Sequence, residues 1–352
     1  MFERSYLEWL SKETPTKWWH DSANPYEIEH AKRMGALGVT TNPVLTYKTL
    51  IENSEYWQAR VCGIPGDLHP SERAEALLRI IATDAAQRFF DIYQRSNGDD
   101  GYAFGQLDPS KATDYDSMIR MAKRVAAWAP NMAVKLPCSK AGIAVIEELA
   151  ANGIAICATL NFTVSQFIAV SESYRKGIAY ARKNNIPVKP CFTVQQIGRF
   201  DDYFRDCYKE IGVALSEAEV TQAGLAIINR SYKISLENNY ETRIMPAGLR
   251  GTYHVTELAG ANMTMSLHPR IQQMLCIEDP LRVKKRAQES DRKLIDKLIR
   301  IPEFERAYEP NGLQPEEYAT FGLFQRTLSQ FLETGWAYLE VYGADRKSDR
   351  WT

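Results

Sequence analysis

No apolar run in the 352-residue chain approaches the roughly 18 residues of a membrane span. The N-terminal stretch MFERSYLEWLSKETPTKWW also lacks the continuous apolar core of a signal peptide. A cytoplasmic protein that does not enter a membrane is therefore expected. Six cysteines, at 62, 138, 157, 191, 207 and 276, form no CxxC pair. A chain this long needs no disulfide staples, so free thiols in a reducing compartment are expected. Five histidines, at 20, 30, 69, 254 and 268, show no ligand spacing such as HExxH, which argues against a metal site. The formal net charge is −1 and no long block of one sign occurs. Nucleic acid and anionic membrane, which need a basic face, are thus unsuitable partners. There is no low-complexity segment, no close repeat and no Pro/Gly/Ser linker that would split off a second domain.

What the chain does contain is an alternation of short apolar strands with amphipathic helices. The composition, 45% hydrophobic and 25% charged, is that of a globular protein. Eight strand candidates stand at 17–23, 38–42, 101–108, 131–138, 154–162, 186–194, 242–248 and 261–267. Several are apolar throughout, as strands buried on both faces should be. Between them, Asp116 is placed to cap a helix with Met118, Met121, Val125 and Trp128 on one face, ended by Pro130. Ser139 is placed to cap the next, with Ile143, Ile146 and Leu149 inward and Gly153 as its stop. Ser216 and Glu219 have capping-box spacing before a long helix to about Tyr240.

Eight strands with intervening helices predict an α/β fold with parallel strands and right-handed crossovers. About 250 residues suffice for a closed (β/α)₈ TIM barrel. The reading is one barrel domain over residues 1–352, with its core at about 17–270. A helical insertion is expected at about 44–98, another before the seventh strand, and a helical C-terminal extension from about 271. That extension holds an amphipathic stretch at 282–300 and an aromatic-rich one at 318–343. The alternative, an open doubly wound sheet, would be favoured by a Gly-rich phosphate loop after the first strand, and none is present.

Barrel chemistry sits at the C-terminal ends of strands. The polar residues there are Asp21, Asn42, Gln106, Lys135, Thr159, Asn161, Arg199 and Arg250. Lys135 lies in the otherwise apolar run AVKLP. Burial pushes an amine toward its neutral form, and a neutral amine attacks a ketone to give a Schiff base. Carbon–carbon cleavage beside the iminium also needs a base, for which Asp21 is the carboxylate so placed. Thr159 suits a water that relays protons. Paired arginines suit an anionic tail such as phosphate. Each has a plainer reading. A strand lysine usually faces solvent, Asp21 and Asn42 could be turn or cap residues, Thr159 an ordinary strand residue, and the arginines surface ion-pair partners. Cys138 and Cys157 read as buried small side chains.

These same positions resemble the transaldolase family, which includes the fructose-6-phosphate aldolases. GVTTNPVL at 38–45 is similar to the family's GxTTNPSL, and AVKLPCSKAGI at 133–143 to its Schiff-base lysine segment. CATLNFTVSQ at 157–166 resembles LTLLFSxxQ, IGRFDD at 197–202 resembles VGRIxD, and MPAGLRG at 245–251 resembles MxASFRN. ELAGANMTMS at 257–266 and HDSAN at 20–24 resemble two further segments, and all occur in family order over roughly 17–270. The resemblance implies a (β/α)₈ barrel that transfers a dihydroxyacetone unit from a ketose phosphate to an aldose phosphate. It implies no metal or organic cofactor and a place in carbohydrate metabolism of the pentose phosphate pathway type. It assigns Lys135 as the Schiff-base lysine, Asp21 as acid/base and Thr159 as holder of the catalytic water. Asn42, beside Thr41, would contact the dihydroxyacetone unit, with Asn161 in the same lining. Arg199 and Arg250 would bind phosphate.

Three positions depart from that pattern. Gln106 stands where transaldolases carry Glu and fructose-6-phosphate aldolases carry Gln. An amide orients water but cannot exchange a proton with it. Gly248 replaces the serine of ASFR. CFTVQQIGR at 191–199 is longer than SPFVGR, leaving Phe192 as the candidate for the aromatic role. The leading expectation is a transaldolase acting on sugar phosphates. A class I aldolase is the alternative, and a non-catalytic sugar-phosphate-binding barrel the third. The aromatic tail is open to covering a barrel face or a homo-oligomer interface.

Overall fold

The computed structural model describes residues 5–344. Seven strands, all parallel, form the core: β1 (Lys17–His20), β2 (Ala103–Gln106), β3 (Met132–Pro137), β4 (Ile156–Asn161), β5 (Cys191–Gln195), β6 (Arg243–Pro246) and β7 (Thr264–Leu267). β2 to β6 form one continuous ladder, and β1 pairs with β7. The two are joined through Val39, which bridges His20 on one side and Ala103 on the other. β6 packs beside β7. Eight strand positions therefore follow one another around a ring, the (β/α)₈ arrangement expected.

The predicted second strand, 38–42, contracts to that single bridge. Gly38 lies against the Trp19 indole so closely that any Cβ would collide with the ring. Five residues later the chain turns into a helix at Pro43, which has no N–H to give a ladder. The inside of the ring is filled by Trp19, Tyr102, Phe104, Phe192 and Met245, all buried. Fully burying a side chain such as Phe contributes about 1.5–3 kcal/mol. The alternate residues, among them Val39, Val134, Leu136, Ile156 and Met265, face the surrounding helices.

Helices α1 (Tyr6–Glu13) and α2 (Pro25–Arg33) flank β1. The 44–98 insertion is α3 (Pro43–Glu52), α4 (Ser54–Val61) and the 26-residue α5 (Pro70–Arg95). The crossovers are α6 (Tyr115–Ala126), α7 (Lys140–Ala151) and α8 (Val164–Lys183). They continue with α9 (Ile197–Ile211), α10 (Glu217–Val220), α11 (Ala223–Glu237) and α12 (Thr252–Leu258). The C-terminal extension carries α13 (Pro269–Glu278), α14 (Arg292–Leu298), α15 (Pro302–Tyr308), α16 (Gly322–Phe331) and α17 (Ala337–Val341). Among the described residues no helix is long and apolar enough to cross a membrane.

Local expectations were met unevenly. Ser139 caps α7 through Gly142 N at 3.0 Å. Asp114, not Asp116, caps α6, because its carboxylate stands three residues before the free Ser117 N–H. The Ser216–Glu219 capping box exists but opens only the four-residue α10, and the long helix starts afresh at Ala223. The amphipathic stretch 282–300 is helical only over α14; Asp291 caps it, and the chain before it is irregular.

Candidate active site

Lys135 projects from the middle of β3 into the ring and is 5% exposed. Its Nζ donates to the Thr41 carbonyl oxygen at 2.8 Å and lies 5.9 Å from the centre of the Phe104 ring. Gln106 and Cys157 are its register neighbours on β2 and β4. Burial pushes the amine below the ordinary lysine range, Asp21 opposes the shift and Arg199 adds to it. Burial likewise pushes Cys157 up to about 12, so its thiol carries no charge at neutral pH to hold the ammonium. A resting contact with a neutral carbonyl, rather than a carboxylate, leaves the amine free to lose its proton.

Asp21 follows β1 at the C-terminal end of the ring, with its N–H donating to the Leu267 carbonyl at 2.9 Å. Its Oδ1 accepts from Thr40 Oγ1 at 2.5 Å, and Thr40 Oγ1 lies 2.9 Å from Ser266 Oγ. This hydroxyl chain was not anticipated from sequence. Thr40 is hidden in the TTNP run, and Ser266 comes near only because β7 pairs with β1.

Gln106 Oε1, Thr159 Oγ1 and both polar atoms of Asn161 are buried and have no hydrogen-bond partner. Buried polar atoms are nearly always paired, so such a cluster at the strand ends needs an explanation in water or ligand. Between Thr159 and Asn161, Leu160 adopts φ +53°, and the β4–β5 register slips there. A bulge of this kind re-aims side chains and is common beside active sites.

Other expected residues take more structural places. Thr41 turns its hydroxyl to the Phe104 carbonyl at 2.6 Å and offers Lys135 only its backbone. Asn42 caps α3, its Oδ1 accepting from Leu45 N at 2.9 Å, so its amide nitrogen is the end left for a substrate. Phe192 is buried among Trp19, Tyr102 and Phe104, making it part of the floor.

Arg199 and Arg250 meet at one side. Arg199, in the first turn of α9, donates Nη1 to Gln330 Oε1 at 2.5 Å and stands 5.7 Å from the Phe331 ring. Burial lowers its pKa, and Arg250 lowers it further. Arg250 donates Nε to Asp202 at 2.7 Å and Nη1 to the Gly248 carbonyl at 2.8 Å. Gly248 has φ +61°, a conformation that suits glycine rather than the serine of the family pattern. Behind this loop the Arg250 N–H donates to His254 Nδ1 at 3.2 Å. His254 Nε2 lies 3.0 Å from Asp201 Oδ2, both residues being fully buried. Nothing in the sequence singled out that support, since Asp201 and His254 are 53 positions apart with no motif linking them.

The family model described as Transaldolase/Fructose-6-phosphate aldolase matches residues 18–314. The chain belongs to this family. It is 30% identical over 224 residues to the transaldolase of Mycobacterium ulcerans, covering 60% of this chain and 57% of that one. The transaldolase of Mycobacterium marinum gives the same values. "Transaldolase 2" of Streptomyces avermitilis is 28% identical over 243 residues, covering 64% and 63%. The chain thus spans less than two thirds of the curated relatives it matches.

Proposed function

We propose that this chain is a transaldolase-like enzyme that carries a dihydroxyacetone unit on Lys135. The observation that supports this reading best is the buried Lys135, its amine held by a neutral carbonyl at the same end of the ring as Asp21. The neutral Nζ attacks the ketose carbonyl carbon, and loss of water gives an iminium. Asp21 takes the proton of the hydroxyl next to the scissile bond, an aldehyde departs, and the bonding pair moves into the iminium as an enamine. In transfer, the enamine attacks the carbonyl of an acceptor aldose, Asp21 returns the proton, and water releases the product. Thr159 holds the hydrolytic water, and the arginines hold the phosphate end.

Gln106 favours a second reading. Its Oε1 is unpartnered beside Lys135, and an amide orients water without exchanging a proton. That suits an aldolase which releases the three-carbon unit rather than holding it for an acceptor.

A panel of ketose phosphates with borohydride, read by mass, tests the shared step. A covalent adduct is expected on Lys135 and none in Lys135→Ala. An unmodified Lys135, or full activity with labelling elsewhere, overturns the assignment. A coupled assay of free-aldehyde release against transfer then separates the readings, since strict acceptor dependence rules out the aldolase.

A further inference from the structure

Helix α16 lies beyond residue 314, outside the segment that matches the family model. It packs against β4 and α9. Phe331 is buried, and the chain then makes a π-helical turn over Leu332–Trp336. Gly335 in that turn is so close to Pro43 and Val44 that a Cβ there would sit 2.8 Å from Pro43 Cβ and Val44 N. The extension is therefore seated beside Asn42 at one end and on Arg199 at the other. π-turns often mark functional sites, because they shift the register of the side chains that follow.

Three arginines gather where α16 meets α9: Arg199, Arg250 and Arg326, each of the last two lowering the pKa of Arg199. Arg250 is matched by Asp202, and Arg326 by Asp206 at 2.7 Å. Arg199, the most enclosed of the three, has for its hydrogen-bond partner the neutral amide of Gln330. Its positive charge is thus not cancelled at that contact. A carboxylate at 330 would cancel it.

We propose that Gln330 is a specificity-determining residue of the anion subsite, held there by the C-terminal extension. Its Oε1 holds the Arg199 guanidinium in place. When the phosphate of a sugar arrives, Oε1 yields that guanidinium. The amide turns to present Nε2–H to the same anion, which a side chain with both donor and acceptor can do. Gln330 takes no part in the chemistry at Lys135. This assignment rests on the Schiff-base reading above.

The test compares two probes for borohydride labelling of Lys135: fructose 6-phosphate and dihydroxyacetone, which carries no phosphate. The half-saturating concentration of each is measured for the wild type, Gln330→Glu and Gln330→Met. In Gln330→Glu the value for fructose 6-phosphate should rise, relative to that for dihydroxyacetone, by at least about tenfold, the scale of a charged hydrogen bond. Gln330→Met keeps the length without the charge and should shift that ratio by no more than about threefold, the scale of one ordinary hydrogen bond. A ratio that stays put in Gln330→Glu overturns the proposal. So does an equal shift in both variants, which would mean packing and not charge. A wild type labelled by dihydroxyacetone but no more tightly by fructose 6-phosphate overturns the subsite while leaving the Schiff base standing. A wild type labelled by neither probe overturns the Schiff-base reading itself.

Discussion

Gly198→Ala adds one methyl group at the joint between the two arginine-bearing segments. The new Cβ would fall well inside contact distance of the Gly248 carbonyl oxygen, 2.9 Å from Arg250 Cγ and 3.2 Å from Arg250 N. Arg250 Cγ could swing away, but the carbonyl belongs to the backbone. The loop 247–251 must therefore retreat from α9 by roughly 1 Å to restore van der Waals separation. That loop is fixed from behind by the His254 bond to Arg250 N, so the shift works against a buried anchor. Overpacking of this kind costs about 1–3 kcal/mol in stability, visible as a lower Tm. It also parts Arg199 from Arg250, and a displacement of about 1 Å in a positioning group can cost up to about 100-fold in rate. The assay is kcat/KM for fructose 6-phosphate set against the labelling efficiency of dihydroxyacetone in the same variant. The phosphorylated probe should lose at least about tenfold more than the other. Equal losses, or a change of less than about twofold in both, would show that the arginine spacing does not govern phosphate recognition.

Two further outcomes follow, one from His20 on β1 and one from Gln106 beside the lysine. Burial holds His20 neutral, with its pKa down at about 4, while Gln272 donates to its Nδ1. The unfolded chain gains a proton near pH 6.5 and the folded one does not. The stability tied to His20 is therefore present above pH 6.5 and lost as pH falls to about 4, an effect of order 3 kcal/mol. Denaturant titrations of His20→Gln should show a shallower fall across that window, and an unchanged slope would remove His20 as the cause. Gln106→Glu places a carboxylate beside Lys135, which favours the ammonium and should move the borohydride-labelling profile to higher pH. If the same variant shifts the partition toward transfer, position 106 sets the reaction type; an unmoved profile and partition would deny it that role.

Residues whose context was short-range were legible from the chain alone. Lys135 stood out because a charge in an apolar strand is unusual, and the strand expected around it forms over 132–137, buried throughout. Ser139 announced its helix because a cap acts within three residues. The hidden features depend on distant segments meeting. Val39 is nearly all that remains of the second strand because Trp19, from the strand before, crowds Gly38. Thr40 and Ser266 lie 226 positions apart, and Arg199 and Gln330 are 131 apart. Phe192 stood as the candidate for the aromatic role because it is the aromatic of CFTVQQIGR, a segment longer than its family counterpart. Its neighbours in space are Trp19, Tyr102 and Phe104. The 282–300 stretch has helical periodicity, but only its second half is helical, starting at the Asp291 cap.

The partner of Lys135 Nζ is a main-chain carbonyl. No replacement of the Thr41 side chain can delete that oxygen; only a change in the course of the backbone can move it. That course is pinned on both sides, by Gly38 against Trp19 and by Pro43 at the start of α3. The resting place of the Lys135 amine is therefore insulated from ordinary sequence drift at the residue it touches. Its vulnerability is transferred to two positions, 38 and 43, that never meet it.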